Sequence, residues 1–102
     1  MNSIEGSEVK KVVVACDAGM GSSVLLTTQL KGTLSRYGVT VEHSPVDRIP
    51  QDADVVLCQT GLVDRARKRV PDTVVVGFQM FLGDPAFARL EQAIRDGGTL
   101  AG

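Results

Sequence analysis

The chain has no tryptophan, one tyrosine and three phenylalanines among its 102 residues. Rings of this kind are what would sandwich a flavin, so little is available for that task. Charge of either sign is equally scarce in excess. Eleven basic and twelve acidic side chains leave a net charge of −1, whereas a phosphate backbone calls for a clear basic surplus. Nucleic acid is therefore not an expected partner. No apolar run approaches the roughly 20 residues of a membrane-spanning helix. Met1 to Glu8 is polar where a signal peptide would carry its apolar core. The expected compartment is the cytoplasm, without direct membrane insertion. Two cysteines are too few for a disulfide framework, so each is either a small buried residue or a reactive thiol. With one histidine, His43, and no cysteine pair at ligand spacing, neither a metal site nor a cofactor is expected.

What is present alternates in period. Val9 to Cys16 is a short β-branched run that predicts a buried strand. Ser22 to Tyr37 predicts a helix with Leu26, Leu30 and Leu34 on one stripe and Gly38 as its stop. Val39 to His43, Asp54 to Cys58 and Thr73 to Val76 predict three further strands. A short helix around Leu62, Ala66 and Val70 precedes the last of these. A final helix opens at Asp84-Pro85 and closes at Gly97-Gly98. The expectation is one α/β domain over residues 1–102, with its core at about 9–97 and flexible ends at 1–8 and 98–102. Strands alternating with helices imply a small open parallel sheet, here of four strands in the order 2-1-3-4, with helices on both faces. Ligands of such sheets bind at the carboxyl ends of the strands where the winding reverses. That rule brings the end of the first strand, at Cys16, opposite Gln59, Thr60 and Gly61 at the end of the third.

The segment Cys16-Asp17-Ala18-Gly19-Met20-Gly21-Ser22-Ser23 carries the chemistry. A curled loop entering a helix offers backbone N–H groups and the positive end of the helix to an anion. Gly19 and Gly21 let the backbone approach that anion closely. Ser22 and Ser23 can cap the helix or donate to the same oxygens. A thiol in this field is favoured as thiolate, the nucleophilic form. Asp17 fits less well, since its carboxylate would repel the anion, and it is expected to point outward. Cys58 lacks such a setting and reads as a buried strand-end residue. His43 ends the second strand, away from the crevice, and reads as a surface or packing residue. Arg65, Arg67, Lys68 and Arg69 read as a solvated helix face. Phe78-Gln79-Met80-Phe81-Leu82 reads as core over the sheet edge.

The stretch Val12 to Ser23 resembles the phosphorylation loop of enzyme IIB of the bacterial phosphoenolpyruvate-dependent sugar phosphotransferase system. It is closest to the mannitol type, within a group that includes lactose-, ascorbate- and galactitol-type proteins. The likeness runs from about Lys10 to Ile94 and takes in Ile49-Pro50, Asp54-Val55-Val56, Asp64-Arg65-Ala66, Val70-Pro71 and Phe81-Leu82. It departs at Gln59, where mannitol-type proteins often have histidine. The resemblance implies that Cys16 accepts a phosphoryl group from a phosphohistidine of a IIA protein. It also implies that the group passes to a sugar or polyol bound by the membrane IIC component. Low-molecular-weight tyrosine phosphatases resemble this loop through a Cys-x5-Arg motif, but Ser22 stands where their arginine would be, although Asp84-Pro85 matches their late Asp-Pro. A phosphorylation-sensing regulatory module is a further alternative. A flavodoxin-like module is another, but it would want aromatic residues around its flavin.

Overall fold

The valine run before Cys16 forms the inside of a parallel sheet. The structure, a computed structural model, describes residues 2–16, 21–79 and 84–101, with Gly21, Ser22 and Ser23 described by their backbone alone. The strands are β1 (Ser3–Glu5), β2 (Lys11–Cys16), β3 (Thr40–Pro45), β4 (Val55–Gln59), β5 (Val74–Phe78) and β6 (Thr99–Ala101). The helices are α1 (Gly21–Leu34), α2 (Val63–Arg69) and α3 (Pro85–Asp96). Among the described residues no helix is long and apolar enough to cross a membrane.

The four long strands are parallel and lie in the order β3-β2-β4-β5. β2 pairs with β3 from Lys11–Thr40 to Cys16–Pro45, and with β4 from Val12–Val55 to Val14–Leu57. The chain leaves β2 toward β3 on one side and later returns as β4 on the other. This reversal opens the crevice beyond the strand ends.

Because side chains alternate along a strand, each valine run feeds two cores. Val12, Val14, Val55, Leu57, Val74 and Val76 meet Leu26, Leu30 and Leu34 of α1 and Ala86 and Leu90 of α3. On the other face Val13, Ala15, Val56, Cys58 and Val75 meet Val46, Ile49, Leu62, Ala66 and Val70. A sheet covered on both faces needs continuous apolar strands, as these are.

The sequence signals for helix ends correspond to caps. Gly38 and Gly97 take left-handed conformations, φ 74° and 73°, where α1 with its trailing 3-10 turn, and α3, stop. Asp84 caps α3 by accepting from Ala86 N at 2.9 Å, with Pro85 in the first turn. Asp54 pins the start of the sheet. Its Oδ2 accepts from Lys10 N at 2.8 Å and Lys11 N at 3.0 Å, while its own N–H donates to Lys11 O at 2.9 Å.

The two ends of the described chain pair with each other. Ser3–Glu5 pairs antiparallel with Thr99–Ala101, Ile4 lying opposite Leu100. Both apolar side chains pack on the α1/α3 core. Strands of three residues are too short to show a period, so the sequence alone hid them. The turn after β1 presses on α3: Gly6 N–H donates to Gly98 O at 2.7 Å, and a Cβ on Gly6 would overlap Ala93 O.

The basic cluster on α2 is exposed, as expected of a solvated face. Arg65 meets Asp47 at 3.1 Å, and Arg69 Nε donates to Ile49 O at 3.0 Å, tying α2 to the turn before β4.

Candidate active site

Cys16 is the last residue of β2, at the carboxyl end of an inner strand, and only 4% of it is exposed. Alternation puts its side chain on the face of Val12 and Val14. His43 lies opposite Val14 on β3 and therefore shares that face. The two side chains meet: Cys16 Sγ and His43 Nε2 are 2.9 Å apart. The imidazole is exposed, the thiol buried.

This corrects the expectation that His43 stands away from the crevice. Parallel strands finish at the same edge, so the end of β3 necessarily lies beside the end of β2. Alternation counted from the Val14–His43 pair then selects the same face as Cys16. The signal was present in the sequence but needed the register between two strands.

Asp17, Ala18, Gly19 and Met20, the expected anion loop, lie outside the described residues. Gly21 opens α1, and Ser22 and Ser23 occupy its first turn. That turn contains no acidic residue. The unpaired N–H groups and partial positive charge of the helix start are thus not offset from within the turn. One turn further, Val24 and Leu25 are 53% and 69% exposed. These are large apolar side chains held in solvent next to the loop.

Across the crevice, β4 ends at Gln59, half-buried, and continues into a 3-10 turn, Thr60–Leu62. Continuing the β2–β4 register by two residues brings Gln59 level with Cys16. Thr60 and Gly61 are exposed at this end. Thr60 also abuts Gly77 of β5, where a Cβ would stand 3.1 Å from its Cγ2.

Cys58 is fully buried in the α2-side core, and burial pushes its thiol up to about 11, with Arg67 weakly opposing. It is a buried packing residue near the strand end, as its sequence setting indicates. Phe78 is buried in the other core and packs on Phe87 with ring centroids 5.1 Å apart. Gln79 is exposed, and Met80, Phe81 and Leu82 lie outside the described residues. Among the described residues no group of three or more His, Cys, Asp or Glu is arranged to hold a metal.

The sheet order and the thiol at the end of β2 define a small doubly wound α/β domain with its candidate site at the winding reversal. Residues 11–92 match the family described as "PTS system, Lactose/Cellobiose specific IIB subunit", and the chain belongs to it, as a IIB component of the phosphotransferase system. It is similar to the mannitol-specific EIICB component of Geobacillus stearothermophilus, 33% identical over 91 residues and 87% of this chain. The same component of Staphylococcus saprophyticus is 35% identical over 92 residues, again 87% of this chain. That of Halalkalibacterium halodurans is 29% identical over 93 residues and 89% of the chain. The chain spans about a fifth of the length of these curated relatives: 19%, 18% and 20%.

Proposed function

We propose that the protein is a phosphocarrier in which Cys16 accepts a phosphoryl group from a phosphohistidine on a IIA protein and delivers it to a sugar or polyol held by a membrane IIC component. The observation that carries this reading is the position of the only thiol at the crevice among the described residues: the end of β2, ahead of a loop that leads into α1. In the first transfer the thiolate attacks phosphorus, an S–P bond forms and the N–P bond breaks, its electron pair staying on the donor imidazole. In the second, a substrate hydroxyl oxygen attacks, the S–P bond breaks, and the thiolate is restored as the hydroxyl proton leaves.

Phosphoryl transfer of this kind needs positioning and charge stabilisation more than covalent help from the protein. The loop amides from Asp17 to Met20, Gly21 and the hydroxyls of Ser22 and Ser23 supply that stabilisation in this reading. Gln59, Thr60 and Gly61 form the second wall. Ser22, in place of a phosphatase arginine, favours handing the group on over releasing it to water. Val24 and Leu25, exposed beside the loop, offer an apolar contact for the IIA and IIC partners. The relatives' name, EIICB, joins a C and a B component in one protein, which supports transport with membrane association through IIC.

The test is incubation with phosphoenolpyruvate, the general phosphotransferase proteins and a cognate IIA, followed by intact-mass analysis. One phosphoryl group on wild type and none on Cys16→Ala is expected, with sugar phosphate formed once IIC membranes and substrate are added. Labelling that survives the substitution, release of inorganic phosphate alone, or phosphocysteine that IIC never discharges would overturn the proposal.

A further inference from the structure

Cys16 and His43 are joined by the sheet itself, since Val14–His43 and Cys16–Pro45 are backbone-paired residues of β2 and β3. The register thus places the two side chains on one face in diagonal positions, where Sγ and Nε2 come within 2.9 Å. A thiol this close to an imidazole can pass its proton directly, and a thiolate can accept a hydrogen bond from the resulting cation. Burial of the sulfur limits competition from water, while the exposed ring can exchange its proton with solvent.

We propose that His43 is the proton partner of Cys16: Nε2 removes the thiol proton before transfer and holds the sulfur by a charge-assisted hydrogen bond while the S–P bond is made and broken. This rests on Cys16 being the phosphoryl acceptor. In the first step the S–H proton moves to Nε2 and the sulfur lone pair attacks phosphorus, displacing the donor imidazole. The imidazolium then lies beside the thiophosphate and offsets its charge. When the substrate hydroxyl takes the phosphoryl group, the departing thiolate finds the same cation and the hydroxyl proton goes to solvent.

Among the described residues, the charged groups on neighbouring elements point away from this pair. Glu42, next to His43, alternates to the other face, where it meets Lys11 of β2 at 3.3 Å; Lys11 also meets Asp52 at 2.9 Å. β4 carries no charged residue, and α1, which packs on β3, carries only Lys31, three turns from its start. Asp17, beside Cys16 in the chain, lies outside the described residues.

The experiment measures Cys16 alkylation by iodoacetamide, resolved from Cys58 by peptide mass analysis, across a pH series in wild type, His43→Ala and His43→Gln. Thermal unfolding of each variant accompanies it. Both variants should melt like wild type yet lose about tenfold or more in rate at neutral pH. Added imidazole should restore the rate of His43→Ala. Phosphorylation of Cys16 by a IIA protein should fall in parallel. Equal rates and profiles in all three proteins, or a loss that imidazole leaves untouched, would overturn the role of His43. If alkylation depends on His43 but no IIA phosphorylates wild type, the pair stands and the phosphocarrier reading fails instead.

Discussion

Cys16 ends β2 and Cys58 stands one residue before the end of the neighbouring β4, yet the two face opposite sides of the sheet. Cys16 Sγ lies against His43 on the α1 side, whereas Cys58 sits in the cluster around Ile49, Leu62 and Ala66. Both are free thiols. The sheet between them keeps the two from forming a redox pair without local unfolding.

The two thiols should differ in chemistry accordingly. Cys16 is expected to alkylate at least about tenfold faster than Cys58 in the native protein. The burial that holds the Cys58 thiol at about 11, above its ordinary 9.0, also has a stability consequence. Between those values the unfolded chain gives up the thiol proton while the folded chain keeps it. Folding is therefore favoured fully below pH 9, and this contribution is lost as pH rises toward 11. Urea midpoints across this window should fall more steeply for wild type than for Cys58→Ala. Parallel slopes would remove the argument.

Gly6 should tolerate no side chain. A methyl there overlaps Ala93 O of α3, and backbone cannot move aside cheaply. Gly6→Ala is expected to cost about 2 kcal/mol or more, the usual range for overpacking. Gly61, where a Cβ meets nothing within 4 Å, is the control, and Gly61→Ala should change the unfolding midpoint little.

Asp54 should matter more than its half-exposed position suggests. Asp54→Ala removes the acceptor for Lys10 N and Lys11 N, at 2.8 and 3.0 Å, and loosens the start of β2, where the backbone bond to Lys11 O remains. A loss of about 1–2 kcal/mol is expected from denaturant unfolding, with Asp54→Asn intermediate. Hydrogen exchange at Val12 and Val13 should rise with it.

Much of this fold is legible in the residues because local and long-range signals agree. The runs Val12-Val13-Val14, Val55-Val56-Leu57 and Val74-Val75-Val76 are apolar on both faces, which only a doubly covered sheet requires. Gly38, Gly97 and Asp84-Pro85 mark helix ends by backbone chemistry that needs no tertiary partner. β1 and β6 were hidden because their pairing joins residues almost a chain length apart and each strand is only three residues long. The contact between Cys16 and His43 was hidden for a related reason. Sequence spacing locates each residue on its own strand, but only the register between β2 and β3 decides that they share a face and lie on a diagonal, Cys16 one same-face step beyond His43.

That long-distance pairing has a mechanical consequence. Asn2 Nδ2 donates to Pro71 O at 2.7 Å and to Thr73 O at 3.1 Å, just ahead of β5, at the edge where the parallel strands begin. Ser3 lies opposite Ala101, so both ends of the described chain meet near that edge. Cys16 is at the other edge, about 17 Å from Lys11 along β2 at the ordinary rise per residue. A tether attached at either end would hold the domain by its heel, leaving the thiol edge clear of the tether.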